Sequence, residues 1–362
     1  MRIGYHAPLP PAATGVADYA QSLLEALRPI AQPIANARDA DVHFYQLGNN
    51  PFHRPMLQRL LEKPGAALLH DANLHHYYLG SLSHEAYIAE FCRQYGGWYR
   101  SFAESTWAQR AASGADPRYF RFPMLGQVID NATRILVHNR AAQRIVEAHG
   151  GAGKTHIIPH LAPDPPSVLA REILSLRHSH ALPGNTYLLA VFGHLRESKR
   201  LGVVLRAFRQ ARRREPSLRL LIAGSFVSTA YAAALDLEQP GVLRTGFLPE
   251  PDFWRWASAA DACINLRYPS CGETSGISMR LMSLAKPVIV TAGGEYEAFP
   301  ASAYLPVDPG SAEPSQLEEW MVQLARHRDW GLHIGQSAAA HLRQHHAPAT
   351  VAQQVLEVLR PA

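Results

Sequence analysis

Short apolar runs alternate with amphipathic stretches along the first half of the chain. Runs of four to six apolar residues predict buried strands, and a 3.6-residue spacing predicts helices between them. The expected strands are Arg2–Tyr5, Val42–Gln46, Ala66–His70, Arg134–His138 and His156–Ile158, and the clearest helices are Val16–Leu27 and Ala141–Ala148. Apolar strands separated by helices indicate a parallel sheet that is covered on both faces.

The same alternation returns in the second half and predicts a second doubly wound sheet. Its strands are expected at Tyr187–Phe192, Leu218–Ala223, Val242–Thr245, Ala262–Leu266, Pro287–Thr291 and Tyr304–Val307, with a clear helix at Leu201–Arg213. Between the two halves, proline, histidine and glycine occur without periodicity. We therefore place a first domain at 1–165, a linker at 166–185, a second domain at 186–345, and a C-terminal helix in 346–362 that packs back on the first domain.

Composition narrows the class of protein. A chain of 362 residues, 47% hydrophobic and 18% charged, is long and apolar enough for two cores and too apolar for disorder. No apolar run approaches the roughly 20 residues of a spanning helix, and the three cysteines form no paired pattern. We expect a cytoplasmic protein. The net charge of +5 favours an acidic partner: a phosphorylated small molecule, an anionic lipid headgroup or nucleic acid.

The segment Tyr268–Gly276 joins an apolar strand to a short helix through proline, serine and glycine. Such a turn leaves backbone N–H groups unpaired at the helix start, where a phosphate can accept them. Glu273 lies within this turn. Because a carboxylate repels phosphate, we expect Glu273 to bind a neutral group such as sugar hydroxyls.

A second turn of this kind opens the chain, at Pro10–Tyr19. Thr14 is a good helix cap, and Gly15 allows close approach of a ligand to the backbone. The sequence therefore predicts a further anion or substrate site. A proline-rich connection without a ligand is the alternative.

A third turn, Phe192–Arg200, follows the first strand of the second domain. It brings His194, Arg196 and Lys199 to the carboxyl edge of the sheet, where open α/β sheets bind ligands. Lys199 is placed to neutralise charge on a departing phosphate. The alternative is a solvated helix start.

His70 and Asp71 end a predicted strand, and two more histidines follow within about one turn. The spacing does not match a zinc site, because no second group of ligands is present, so we expect no metal. His70 is instead expected to face the substrate at the ligand edge of the sheet.

Arginines and aromatic residues interleave between Phe91 and Leu125. This pattern is compatible with contact to an anionic membrane or to nucleic acid. It is also what a helix gives when its aromatic residues face inward and its arginines face water. We expect no nucleic acid partner.

Together these motifs resemble the retaining nucleotide-sugar glycosyltransferases of family 4, the glycosyl transferases group 1. The resemblance covers nearly the whole chain and rests mainly on Pro269–Gly276, Lys286–Val290 and Gly293–Glu297, in the expected order. It implies an α/β fold of the GT-B class, with two Rossmann-like domains facing across a cleft.

The resemblance also implies residue roles. Glu273 would bind hydroxyls of the transferred sugar, Gly276 and Ile277 would offer N–H groups to the diphosphate, and Lys199 would stabilise the leaving diphosphate. The other residues implied are His70 at the reaction centre, Gly15, His194, Arg196, Ser275, Phe247 and Leu248 around the donor, and Thr14 and Asp71 on the acceptor side.

The sequence departs from the family pattern at two positions. Leu281 stands where the family usually has a glutamate for the nucleotide ribose, and the helix around it is about one residue short. His194 replaces a phosphate-binding arginine, whose contact Arg196 or Arg200 would then supply.

The resemblance thus implies a retaining transferase that moves a hexose from a UDP- or GDP-sugar, without cofactor or metal, to a hydroxyl acceptor. We expect the acceptor to be a lipid-linked saccharide in polysaccharide assembly, met at the inner face of the cell membrane. The alternatives are a non-catalytic GT-B subunit that binds a nucleotide sugar or a partner enzyme, and a nucleotide-sugar epimerase. Replacing Glu273 or Lys199 by alanine is expected to lower transfer on the order of a hundredfold with folding intact.

Overall fold

A computed structural model describes residues 1–12 and 14–360, which fold into two α/β domains. Ala13, in the predicted opening turn, and Pro361 and Ala362, in the predicted C-terminal segment, lie outside the described residues. The strands are β1 Arg2–His6, β2 Gln32–Ala35, β3 Val42–Leu47, β4 Gly65–Leu69, β5 Ala132–Val137 and β6 Thr155–Ile157 in the first domain, and β7 Tyr187–Phe192, β8 Leu218–Ala223, β9 Val242–Gly246, β10 Ala262–Asn265, β11 Val288–Thr291 and β12 Leu305–Val307 in the second.

Helices cover both faces of each sheet. They are α1 Gly15–Leu27, α2 Arg54–Glu62, α3 His75–Ser81, α4 His84–Tyr95, α5 Arg100–Ala108, α6 Arg118–Arg121, α7 Gly126–Asn131, α8 Arg140–Val146, α9 Ala170–Ser179, α10 Leu201–Arg214, α11 Thr229–Ala233, α12 Glu250–Ala259, α13 Gly276–Ser283, α14 Glu313–Arg326, α15 Arg328–His345 and α16 Pro348–Leu359. Because helices lie on either side, strands such as β4 and β7 are buried at every residue.

Both sheets are parallel, and within the described residues each has six strands. The order is β2-β1-β3-β4-β5-β6 in the first domain and β12-β11-β10-β7-β8-β9 in the second. In the second sheet the chain moves outward from β7 in one direction and from β10 in the other. The gap between the ends of β7 and β10 is therefore the switch point at which open α/β sheets bind ligands.

The predicted strands of the second domain are confirmed, and β7 and β8 have the predicted bounds. Edge strand β2 was not predicted, because its sequence Gln32–Ala35 is short and mostly exposed. The segment predicted as a linker, 166–185, contains helix α9, which packs on α12. Helix α16 packs on α1 of the first domain and adds Val351 and Val355 to its core.

Candidate functional site

Lys199 bridges the ends of β7 and β10. It lies in a single 3-10 turn, Glu197–Lys199, and its side chain is 4% exposed. Its Nζ donates to the carbonyl of Phe192 over 2.7 Å and to Oδ1 of Asn265 over 2.8 Å. Burial, with the charges of Arg267 and Arg196, lowers the pKa of Lys199 well below its usual value. An ammonium has three N–H donors, so one remains for a ligand.

Helix α13 begins beside this lysine. Ser275 caps the helix, since its Oγ accepts from the backbone N–H of Ser278 over 3.4 Å and from Nδ2 of Asn265 over 2.8 Å. A Cβ added to Gly193 would lie 3.8 Å from Nζ of Lys199 and 3.5 Å from Cγ1 of Ile277. A lysine and the exposed start of a helix therefore meet at one point of the switch, an arrangement that favours binding of an anion.

Glu273 lies in the turn before α13 and is mostly buried. Its Oε1 accepts from Nη1 of Arg267 over 2.7 Å, and its Oε2 accepts from the backbone N–H of Cys271 over 2.6 Å. Burial alone would raise the pKa of Glu273, but Arg267 and the N–H donors outweigh it, and the net direction is downward. Glu273 is therefore an ionised acceptor at neutral pH.

A cavity of about 250 Å³ opens at Glu273. Ser270 and Glu295 also line it, and Ala141 of the first domain closes one side. The hydroxyl of Ser270 donates to Glu295. The two carboxylates and the serine give the cavity several hydrogen-bond acceptors, a lining that suits a small polyhydroxylated molecule.

Asp71 faces this region from the first domain. Its Oδ2 accepts from the backbone N–H of Asn49 over 2.8 Å. Burial, followed by the charge of Glu273, raises the pKa of Asp71 to about 6, while Arg196 and Arg267 oppose the rise. Arg196 is exposed, and within the described residues its guanidinium forms no ion pair. It is available to an anion in the cleft.

The two domains touch around the turn 270–274. The backbone N–H of Ala72 donates to the carbonyl of Cys271 over 2.8 Å. Asn139 caps α8 and donates from Nδ2 to the carbonyl of Gly272 and to Oγ1 of Thr274, each over 2.9 Å. The turn that carries Glu273 is thus positioned by residues of both domains.

Helices α1 and α13 meet across the cleft. Asp18 of α1 lies 3.8 Å from Nη2 of Arg280 in α13. Gly15 is the first residue of α1, and Thr14 accepts from the N–H of Val16 over 3.4 Å. Two helix starts, at Gly15 and Gly276, therefore open on the same side of the molecule.

His70 lies deeper than predicted. Its Nε2 contacts Oε1 of Gln46 at 2.9 Å, and its ring packs edge-on against Tyr19 at 4.8 Å. Burial, then the neighbouring histidines, lowers the pKa of His70, so the ring is neutral at neutral pH. Of the two histidines that follow Asp71, His75 bonds the carbonyl of Phe122 in the helical part of the domain, and Nδ1 of His76 contacts Nδ2 of Asn49 at 3.1 Å.

Some predicted donor residues lie apart from this group. Phe247, 68% exposed, and Leu248 follow edge strand β9, two strands away from β7. His194 is exposed. Arg200 turns away from the cleft, where its Nε donates to Oε2 of the buried Glu313 over 3.0 Å. Of the two arginines offered as substitutes for a phosphate ligand, only Arg196 faces the site.

Leu281 is fully buried in the core of the second domain. A side chain at this position points into the core and not into the cleft. Its neighbour Arg280 faces the cleft, where Nη2 bonds Oε1 of Glu250 over 3.0 Å.

Several site residues were missed in the sequence. Asn265 is the last residue of β10 and Arg267 lies two residues after it, where the switch-point rule could have found both. Asn139 is a residue type that commonly caps helices, but its contact with the second domain depends on how the domains pack. The missed residues are Gln46, His138, Asn139, His160, Glu250, Asn265, Arg267, Ser270, Arg280 and Glu295.

The second domain matches a known family. Residues 186–327 match the family model for glycosyl transferases group 1. The second domain is a group 1 glycosyltransferase domain. No curated protein matches the chain in sequence.

Solved structures match the chain over both domains. HepE (Alr3699) of Anabaena, solved with UDP and glucose, matches at a TM-score of 0.66 with 16% identity, covering 99% of each chain. Sucrose-phosphate synthase of Thermosynechococcus elongatus matches at 0.66 with 15% identity, covering 99% of this chain and 97% of its own. WaaG, a glycosyltransferase of lipopolysaccharide biosynthesis, matches at 0.60 with 11% identity, covering 100% and 99%.

These likenesses confirm the predicted GT-B fold. With that fold and a group 1 domain, the chain is a glycosyltransferase. No helix in the described part of the chain is long and apolar enough to cross a membrane.

Proposed function

We propose that this glycosyltransferase moves a hexose from a UDP- or GDP-sugar to a hydroxyl acceptor with retention of configuration, without metal or cofactor. The observation that carries the proposal is the meeting of an ionised Glu273, a buried Lys199 and the start of α13 at one switch point. These groups supply acceptors for sugar hydroxyls beside donors for a diphosphate. The two needs of a nucleotide-sugar donor are thus met by adjacent residues.

The positive groups around the start of α13 favour departure of the diphosphate. The free N–H of Lys199, the backbone N–H groups at Gly276 and Ile277, and the guanidinium of Arg196 would take up the developing negative charge. Because Lys199 is fixed by Asn265 and Phe192, it needs no reorganisation as the bond breaks. Preorganised donors of this kind commonly supply the largest share of catalysis.

Glu273 would orient the sugar by accepting from its hydroxyls. Its Oε1 is engaged by Arg267 and its Oε2 by the N–H of Cys271, but each carboxylate oxygen has a further lone pair for a hydroxyl. In this scheme no carboxylate attacks the sugar. A donor phosphate oxygen accepts the proton of the acceptor hydroxyl on the same face.

Glu250 is the carboxylate that we assign to the ribose in place of Leu281. It begins α12, three residues after Phe247, against which the base would lie. Arg280 and Nε1 of Trp254 bond its Oε1 at 3.0 and 3.3 Å, which leaves Oε2 for a hydroxyl. The ribose contact would then come from the start of α12.

The acceptor would be a lipid-linked saccharide, reached at a membrane surface. Trp98, 84% exposed, lies between α4 and α5 beside Arg100. Several arginines of this segment are neutralised within the protein, since Arg93 pairs with Glu90 and Arg118 with Asp116. The contact would therefore depend on Trp98. We expect co-sedimentation with vesicles containing anionic lipid, weakened by Trp98→Ala and unchanged by Trp330→Ala.

Donor binding and turnover test the proposal. Thermal shift with UDP-, GDP- and ADP-sugars identifies the base, because a ligand that binds only the folded state raises Tm. We expect a shift with a UDP- or GDP-sugar, and release of the nucleotide once a hydroxyl acceptor is supplied. An epimerised sugar without acceptor would instead indicate an epimerase.

A non-catalytic subunit is the second candidate, and the burial of Leu281 favours it, because the usual ribose ligand has no replacement at that position. Such a protein would bind the donor yet release no nucleotide with any acceptor. A donor that binds normally to Glu250→Gln would also weaken our assignment of the ribose contact.

A further inference from the structure

His70 and His138 face each other inside the first domain, at the ends of neighbouring strands β4 and β5. Nδ1 of His70 lies 3.3 Å from Nε2 of His138, and both side chains are buried. A neutral imidazole has one N–H donor and one acceptor nitrogen. Which nitrogen carries the proton in each ring is decided by the partner of its other nitrogen.

The partner of His70 is Gln46, whose orientation is fixed by a tyrosine. The hydroxyl of Tyr5 donates its one proton to the carbonyl of Ala20 over 2.7 Å. Its oxygen therefore accepts from Nε2 of Gln46, so that Oε1 of Gln46 faces Nε2 of His70 at 2.9 Å. An amide oxygen only accepts, so Nε2 of His70 donates and its Nδ1 carries a lone pair.

The partner of His138 is a backbone carbonyl. Its Nδ1 lies 3.1 Å from the oxygen of Ile158, so Nδ1 donates and Nε2 carries a lone pair. With one proton in each ring, two lone pairs face each other. The contact between His70 and His138 is one proton short of a hydrogen bond.

In a second histidine pair of the same domain, one ring supplies the proton of the hydrogen bond and the other supplies the lone pair. Arg59 donates to Nδ1 of His6 over 3.1 Å, so Nε2 of His6 carries the proton and donates to Nδ1 of His43 over 2.9 Å. One proton in each ring satisfies this contact. The missing proton therefore distinguishes the His70–His138 contact from the His6–His43 contact.

We propose that the His70–His138 pair takes up one proton from solvent when a diphosphate binds at the start of α13. The proton completes a hydrogen bond between Nδ1 of His70 and Nε2 of His138, and returns to solvent when the diphosphate leaves. No bond of the donor forms or breaks in this step. The inference rests on the proposed function and adds His138 as a residue that positions His70.

The pair lies close to the anion site through His160. A Cβ added to Gly276 would lie 3.8 Å from Cε1 of His160, and the rings of His160 and His138 are 4.9 Å apart. An anion at that helix start would favour the protonated form of the pair. The region between them excludes water, and charges interact strongly there. The titratable groups that face the pair are Tyr5, Tyr19, His53, His160 and His346, together with Asp71 next to His70.

The direction of the pH dependence follows. Burial lowers the pKa of His138 to about 4 and also lowers the pKa of His70 well below its usual value, so the pair is neutral at neutral pH without a ligand. A bound anion raises both pKa values. Binding that takes up a proton becomes tighter as pH falls, over the range between the free and the bound pKa.

Calorimetry of UDP-glucose binding in buffers of different ionisation enthalpy counts the protons. The diphosphate of a nucleotide sugar is doubly esterified and does not titrate near neutral pH. At about pH 6 we expect an uptake approaching one proton per ligand from the pair, beyond any taken up by Asp71. Asp71→Asn removes the uptake by that carboxylate and should retain the uptake by the pair.

His138→Gln is the decisive variant. Its amide N–H₂ stands near the position of Nε2 and donates to Nδ1 of His70 without a proton from solvent, so the uptake in an Asp71→Asn background should fall towards zero. His43→Asn, in the His6–His43 pair, should leave the uptake unchanged. Full uptake in His138→Gln would overturn the proposal.

The outcomes separate this inference from the proposed function. Saturable binding of UDP-glucose with no proton uptake overturns the inference alone. If no UDP-, GDP- or ADP-sugar binds, the proposed function fails, and the nitrogen NMR spectrum of the free protein's imidazoles tests the pair. We expect the Nε2–H form of His70 and the Nδ1–H form of His138, and the opposite form at either residue overturns the inference.

Discussion

Glu273 is an ionised side chain whose charge is balanced by one neighbour, Arg267, over 2.7 Å. In Glu273→Gln the amide keeps the shape but loses the charge, so the sugar is oriented less well and Arg267 loses its partner. We expect kcat/KM to fall on the order of a hundredfold, with a lower Tm because a mostly buried ion pair is broken. Initial rates and calorimetry measure both.

The control for this variant is Glu319→Gln, which removes a carboxylate from Arg214 on the surface, where the pair is 3.0 Å apart. It should change neither rate nor Tm measurably. A Glu273→Gln enzyme with normal kcat/KM would exclude a role for the carboxylate in sugar binding.

Lys199 is more deeply built into the fold than the sequence predicted. In Lys199→Ala the carbonyl of Phe192 and Oδ1 of Asn265 lose their donor, each buried. We expect Tm to fall by about 5 to 10 °C in addition to a loss of transfer on the order of a hundredfold. The sequence-based expectation that folding stays intact is therefore replaced by one of partial destabilisation.

Lys286→Ala separates the two effects. Nζ of Lys286 also donates to two carbonyls, of Ser258 and Ala260, at 2.8 and 2.6 Å. This variant should lose comparable stability while the folded protein keeps its rate. If Lys199→Ala, assayed well below its Tm, also kept its rate, Lys199 would be structural only.

At this scale the sequence identified Glu273, Lys199 and Gly276 because each lies in a strand-to-helix turn with a distinctive composition. It did not identify Arg267, although the switch-point rule covers the residues that follow β10, and it did not identify His138. The role of His138 arises from partners far away in the chain, the carbonyl of Ile158 and the ring of His70. Leu281 was noted as a departure, but only packing reveals that its side chain faces the core.

Helix α8 joins the two domains through its cap. Asn139 accepts from the N–H of Ala142 over 2.8 Å and donates to the carbonyl of Gly272 and to Oγ1 of Thr274. Asn139→Asp keeps the cap but replaces the donor by an acceptor that repels the carbonyl. We expect KM for the donor to rise about tenfold or more, and the radius of gyration by X-ray scattering to increase as the cleft opens.

Ser83→Asp is the matched change, since Ser83 caps α4 with its Oγ 3.3 Å from the N–H of Ala86 and contacts only its own domain. It should alter neither KM nor the radius of gyration. An Asn139→Asp enzyme as compact as the parent, with the parental KM, would mean that other contacts keep the cleft closed.

Elements with strong periodicity were predicted well, and β7 has the predicted bounds. The helices between Pro51 and Asn131 were predicted poorly because aromatic and charged residues alternate there without a clear face. Their packing shows the reason: Phe91, Tyr95, Phe102 and Phe122 contact one another in a shared aromatic cluster. Such a cluster is built from several short helices and is not visible in the periodicity of any one of them.

For the whole molecule, buried neutral histidines set the response to acid. Burial lowers the pKa values of His6, His53, His138 and His346 to about 4. The unfolded chain, with pKa values near 6.5, binds more protons in the window between, so stability is complete above that window and is lost as pH falls through it. Asp71, with a raised pKa of about 6, acts in the opposite sense.

Acidification lowers the stability through these four histidines and raises it through Asp71, and the four histidines have the larger effect. We therefore expect Tm to fall by on the order of 5 to 10 °C per pH unit between about pH 6 and pH 5. Scanning calorimetry across this range measures the fall, and His346→Gln should make it shallower. A Tm that stays level or rises on acidification would mean that these rings take up protons in the folded protein.

The position of α16 has a consequence for biosynthesis. This helix follows the whole second domain in the chain, yet Val351, Val355 and Leu356 complete the core that α1 and β1 began. While the ribosome is still making the second domain, the first has an open apolar face along α1. The first domain begins to form early in translation and can finish only near its end, so a nascent chain of this protein exposes apolar surface, of the kind that makes partly folded chains prone to aggregate, until α16 is made.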